Sequence, residues 1–225
     1  MEKRAKSKAF MAGGIGPVSI KNRLVRAATF EQGATDKGEV TDFLVELYRA
    51  LAKGGVGLII TGHAAVHPRG YGNPRMMRIT DDTYLPGVSR IAKAVHEIGN
   101  DCKIFLQLNH AGRQQARPEL SNWAVAPSPV FDPLMQRTPR SLSVEEIEEI
   151  VECFALGVLR ARKAGFDGVE IHSAHGWLIS SFLSPHKISV KMRTEELPKI
   201  GCVFLQIFSV VRGGSLGTTF PLSSK

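Results

Sequence analysis

A chain of 225 residues, 43% of them hydrophobic, can bury one large core or two small ones. It holds no apolar run of about eighteen residues and no signal-peptide core behind the basic start MEKRAKSKAF, so neither a membrane span nor secretion is expected. The net charge of +8 is scattered apart from Lys3, Arg4, Lys6 and Lys8, which read as a solvated tail and not a nucleic-acid surface, and the distant Cys102, Cys153 and Cys202 fit a reducing cytosol better than a disulfide framework or zinc ribbon.

Along the chain, "NRLVRAA" reads as a short strand, Leu24 to Ala28. "TDFLVELYRALAKGG" reads as a helix with Thr41 as N-cap, Leu44, Leu47, Tyr48 and Leu51 at helical spacing, and glycines as a stop. The run 56–62, "VGLIITG", is a strand buried on both faces. "PGVSRIAKAVHEIG" predicts a helix closed by Gly99, and 103–109, "KIFLQLN", a third strand. A capping box of Ser143 and Glu146 opens the helix that runs to Gly165. A fourth strand follows at 167–172, "DGVEIH".

Strand and helix alternate with little between them, which predicts a parallel sheet with helices outside. The candidates are a doubly wound sheet and a (β/α)8 barrel. The glycines at 13–16 precede the first strand and match no phosphate loop. The strand ends carry Thr29, His63, Gln107, Asn109, His110 and His172, where a barrel places its chemistry, so the barrel is favoured.

The densest cluster of chemistry is "GVEIHSAHGWLISSFLSPH", in which His172, His175 and Trp177 follow one strand. Three readings stand open: a metal pair, a substrate-polarising pair beside a cofactor, or chance. A metal pair needs a third ligand, and the motif offers no nearby carboxylate. His63, His67 and His110 read as structural or loop residues, and Gln107 by itself as a polar strand end.

Together "KNRLVRAATFE", "YRALAKGGVGLIITGHAAVHPRG", "FLQLNHAGRQ" and "GFDGVEIHSAHGWLISSFLSPH" resemble the old yellow enzyme family of NADH:flavin oxidoreductases, from about Phe10 to His186. The resemblance implies an FMN-binding (β/α)8 barrel of the TIM type, with NADH or NADPH as hydride donor and activated alkenes or similar electrophiles as substrates. It places Ala28 and Thr29 at the flavin, His63 (beside Gly62) at a position usually small in the family that touches the isoalloxazine through its backbone, and Gln107 on the pyrimidine edge, where an amide offers both donor and acceptor. His172 and His175 match the pair that receives the substrate's carbonyl oxygen, two N–H groups aimed at developing enolate charge.

Two departures follow. Trp177 stands where the family commonly has a tyrosine that protonates the substrate, and an indole N–H is no usable acid. After "FLSPH" the family pattern is lost through "KISVKMRTEELPKIGCVFLQ", which suggests a frameshifted or decayed segment, and returns in "FLQIFSVVRGGSLGTTFPLSSK" as a helix and the start of a fifth strand, with Lys225 near the basic residue that faces flavin N1. The expected organisation is a basic tail over 1–9, barrel over 10–187 and a divergent tail over 188–225, giving the first four to five β/α units of a barrel that ordinarily takes about 250 residues. Such a truncated chain is expected to be cytoplasmic, to self-associate through exposed sheet edges, and, in the alternative reading, to be an inactive half-barrel that retains no FMN. Neither nucleic acid nor membrane is expected as a partner.

Overall fold

The computed structural model describes residues 7–184. The segment 188–225 with its expected helix, fifth strand, Cys202 and Lys225 lies outside the described residues, as does most of the basic tail. Residues 8–10 form a single 3-10 turn whose Ala9 carbonyl accepts from Arg23 N at 2.8 Å, which ties the end of the tail to the body while Lys8 and Phe10 stay exposed. Next comes an antiparallel hairpin that sequence patterning did not predict, β1 (Gly13–Ile15) with β2 (Val18–Ile20), turning at Gly16 with φ 55°.

The predicted alternation then appears in order: β3 (Val25–Arg26), α1 (Asp42–Lys53), β4 (Leu58–Ala65), the short β5 (Met77–Arg78), α2 (Leu85–His96) and β6 (Lys103–Asn109). A long connection carries β7 (Val125–Ala126) and β8 (Arg140–Ser141), and α3 (Val144–Lys163), β9 (Gly168–Ile171) and α4 (Leu178–Leu183) follow. The strand expected over Leu24–Ala28 is only two residues long, because the Leu24 carbonyl takes the N–H groups of both Gly57 and Leu58 and the chain leaves the ladder after Arg26. The expected strand 56–62 instead runs on to Ala65. Thr41 sits at the N-cap of α1, yet its hydroxyl donates to the Gly33 carbonyl and caps nothing. The capping box of α3 forms in both directions, Glu146 N to Ser143 Oγ at 3.3 Å and Ser143 N to Glu146 Oε2 at 3.0 Å.

The strands β3, β4, β6 and β9 pair in that order, all parallel, with β5 beside the end of β4. One core joins α1, α2 and α3 to the sheet through Ile59, Ala64, Ile104, Leu106, Leu108 and Ile171, so the three long helices cover one face. Within the long connection, Arg113 and Asp132 form an ion pair at 2.5 Å with both side chains buried, and Asp132 also accepts from Leu134 N and Met135 N. A buried pair of this kind holds only with such extra bonds.

Candidate active site

The second face of the sheet is set by strand alternation. On β6, Phe105, Gln107 and Asn109 point away from the helices. At the N-terminal end of that face, Ile20 of the hairpin covers Leu58 and Phe105, with Val18 and Ile60 packed alongside. At the C-terminal end the same rows turn polar. Gln107 lies opposite His63 on β4 and Glu170 on β9, and the Gln107 amide donates to Glu170 Oε1 at 2.6 Å. His172 N bonds the Leu108 carbonyl at 2.9 Å, which seats His172 one step beyond Glu170, beside Asn109.

His63 reaches this face through a bulge. The β4–β6 register shifts between Ile60 and His63. The Thr61 hydroxyl there accepts from Gln107 N at 3.2 Å and donates to the Gly62 carbonyl at 2.8 Å, replacing a ladder carbonyl. His63 is therefore a buried residue facing inward, with Phe30 stacked on it at 4.6 Å and Trp177 tilted over it at 5.0 Å. His172 lies 6.2 Å from His63, 5.4 Å from Trp177 and 5.3 Å from His175, centroid to centroid. The turn that returns His175 to His172 places His175 at φ 59° and Gly176 at φ 75°. A non-glycine residue in the left-handed region carries strain of the kind found at functional sites.

Electrostatics favour uncharged imidazoles. Burial lowers His63 to about 4, with the neighbouring His172 adding to it, and burial together with His175 lowers His172 to about 4. Among the described residues no hydrogen bond uses a ring nitrogen of His172 or His175. No three of His, Cys, Asp and Glu gather into a metal-binding set among the described residues.

Sequence reading missed a carboxylate beneath this end of β4. Glu31 Oε1 accepts from Tyr48 Oη at 2.7 Å and Gly62 N at 3.2 Å, and Tyr48 Oη itself accepts from Gly62 N at 2.9 Å. Burial raises Glu31 against these bonds; burial, then the Glu31 charge, raises Tyr48 well above an ordinary phenol. A Cβ at Gly62 would fall 1.9 Å from Glu31 Oε2 and 2.7 Å from the Thr29 carbonyl, which is why the position is glycine. No local pattern links 31, 48 and 62. Glu170 was legible in principle, two residues before His172 and so on the same face.

The structure thus gathers Gly62, His63, Gln107, His172, His175 and Trp177 at one end of the sheet. The exposed Thr29 and half-buried Ala28 sit on the loop that closes over Gly62. These groups fit a planar ring with a polar edge: a side-chain-free backbone at Gly62, an amide at Gln107, and the buried Asn109, whose amide oxygen and nitrogen both lack partners.

Known proteins resemble this chain in sequence and fold. The chain is 42% identical over 179 residues to an NADH oxidase of Thermoanaerobacter brockii, covering 78% of this chain and 27% of the relative. It is 44% identical over 178 residues to a metal reductase of Desulforamulus reducens, covering 78% and 26%. Among solved structures, the old yellow enzyme homologue from Zymomonas mobilis superposes with a TM-score of 0.79 at 27% identity, over 91% of this chain and 61% of that one. The chain therefore spans about a quarter of the length of these two sequence relatives, and its described residues form part of a (β/α)8 barrel. With the NADH:flavin oxidoreductase / NADH oxidase profile matching residues 10–193, the chain belongs to this family, that of old yellow enzyme.

Proposed function

We propose that the chain serves an FMN-dependent oxidoreductase that passes hydride from NADH or NADPH to activated alkenes or similar electrophiles. The observation that carries this reading is the pair His172 and His175, adjacent at 5.3 Å with ring nitrogens unused by the described residues. FMN, when bound, supplies the hydride. The histidines receive the carbonyl oxygen: each imidazole can offer an N–H, and His172, lowered to about 4, donates without becoming a cation near neutral pH. Ala28, Thr29, Gly62, His63 and Gln107 border the ring, Gln107 with the amide N–H and carbonyl that its bond to Glu170 leaves over. Lys225 is assigned to the N1 side of the ring by resemblance alone. Trp177 donates a hydrogen bond but no proton, so the carbon that takes the hydride's partner proton draws it from water, or the electrons pass to acceptors that need no placed acid. The relative named as a metal reductase supports such acceptors.

A second reading, a flavin-free and inactive form, is favoured by the stacking of Phe30 on His63, which places an aromatic ring on a residue assigned to the flavin. One experiment separates the two. The chain is purified with excess FMN, gel-filtered, and its absorbance spectrum taken. Stoichiometric flavin, with enone reduction slowed roughly 10²–10³-fold by His172→Ala or His175→Ala, supports the first reading. A colourless protein supports the second. Bound flavin with unchanged enone turnover after both substitutions overturns the role of the histidines.

A further inference from the structure

Loops after β4 and β6 meet at the same end of the sheet as the histidines. Tyr71 lies between β4 and β5, and its carbonyl accepts from Gln115 Nε2 at 3.2 Å. Its ring is fixed at both ends: the side chain packs with Ala65 and Met76, which Phe30 also joins, and the hydroxyl donates to the Asp36 carbonyl at 2.9 Å. Two guanidinium groups stand over that ring, Arg78 with its central carbon 3.7 Å from the centroid and Arg117 at 5.1 Å.

Arg78 is built into place. Its backbone N–H bonds the Gly38 carbonyl at 3.0 Å, and Gly38 holds φ 84°. A Cβ at Gly38 would lie 2.4 Å from Arg78 Cγ, so a larger residue there would push the side chain off Tyr71. Yet the guanidinium makes no ion pair and donates no hydrogen bond to any described residue, and its Nε is closed off from solvent without a partner. Arg117 has one acceptor, the exposed Glu119 at 2.5 Å, a surface pair of little worth.

We propose that Arg78 and Arg117, stacked on Tyr71, form a subsite for a doubly charged oxyanion: the phosphate or diphosphate of a nucleotide-type ligand. Stacking uses the flat faces of the guanidinium groups, and in the plane it leaves the terminal N–H groups that neither the closed-off Arg78 Nε nor the Arg117 Nε bond to Glu119 takes up, the geometry that grips phosphate oxygens two at a time. A carboxylate would satisfy one fork; two forks, offset only by the exposed Glu119 and by the Asp36 charge acting near the Tyr71 hydroxyl, suit a dianion better. The C-terminal face of a barrel is also where its loops take ligands. Tyr71 shares a cluster with Phe30, which stacks on His63, so the subsite borders the candidate active site. It does not depend on bound flavin.

The test is calorimetric titration of the full chain with inorganic pyrophosphate at low salt. Saturable binding is expected, weakened at least tenfold by Arg78→Met and by Arg117→Met, and unchanged by Lys93→Met on the exposed face of α2. Methionine keeps an apolar stem on Tyr71, and circular dichroism checks that each variant is folded. Arg78→Lys, which keeps charge but loses the fork, should fall with the methionine variants. ADP-ribose and coenzyme A then identify the source of the phosphate: tighter binding of the first points to a dinucleotide, of the second to an acyl thioester. Absence of saturable binding, acetate binding as well as pyrophosphate, or equal loss in the Lys93 variant would overturn the proposal.

Discussion

The sheet has two sides made from the same strands, and they obey different rules. Toward the helices, Ile59, Ala64, Ile104, Leu106 and Leu108 are buried against α1, α2 and α3 in one apolar core. Toward the other side, one residue along in each strand, the rows begin apolar under the hairpin with Leu58 and Phe105 and end polar with His63, Gln107, Asn109, Glu170 and His172. The helix side holds the larger apolar core, which leaves the C-terminal end of the other side able to carry uncharged His63 and His172 and the unpartnered amide of Asn109. Stability and chemistry are separated by the period of two of a strand.

Acid should break this division most severely. His63, His172 and His110 are depressed to about 4, 4 and 3, in each case first by burial. A depressed histidine contributes stability that is complete above its unfolded value of about 6.5 and lost as pH falls toward the folded value, because the unfolded chain binds the proton first. Glu31, raised by burial, works in the opposite sense, its contribution lost as pH rises. Urea midpoints should therefore drop between pH 6.5 and 5 by an amount equivalent to several kcal/mol, and His110→Phe and His172→Phe should flatten the slope. A level profile over that window would show that these imidazoles are wet and not buried.

Truncation should expose the difference between the sides directly. Leu106→Ala, on the helix side, is expected to cost about 2–5 kcal/mol with the urea m-value unchanged. Gly62→Ala, on the polar side, should cost about 1–3 kcal/mol, since its Cβ meets the Thr29 carbonyl as well as Glu31, and Glu31→Gln should not rescue it. Gln107→Leu should cost only about 1 kcal/mol, the loss of one hydrogen bond to a half-buried Glu170. A Gln107 variant as damaging as the Leu106 variant would mean that the polar end holds the fold together. In flavin-loaded protein, Trp177→Tyr should raise alkene reduction relative to quinone reduction through a positioned phenol; equal change for both acceptors would mean that the ring at 177 acts by shape.

The elements that patterning found are those whose partners are helical turns or whole strands. β6 was predicted to the residue as a mostly apolar run of strand length, and the structure buries both of its faces, Ile104, Leu106 and Leu108 toward the helices and Phe105, Gln107 and Asn109 on the other side. The α3 cap was legible because both of its halves lie within four residues. His172 and His175 were found by motif, and the structure brings them together with Trp177 and Gln107. What stayed hidden depends on contacts between distant positions: Glu31 with Tyr48 and Gly62, Gln107 with Glu170, Ile20 with Phe105. β1, β2 and α4 are too short to carry a period. Thr41 misled because a residue type suited to capping found a better acceptor in Gly33.

Thr61 has a consequence for redesign. It is fully buried in a strand that is otherwise apolar apart from His63, and any procedure that fills cores by shape would choose valine there. The two side chains match in outline, yet the hydroxyl is what closes the gap in the ladder opposite Gln107. Valine would orphan the Gln107 N–H and remove the reason for the bulge, and His63 would lose its aim. Serine, smaller and less β-prone, should be the better replacement, so position 61 is selected for an oxygen and not for a volume.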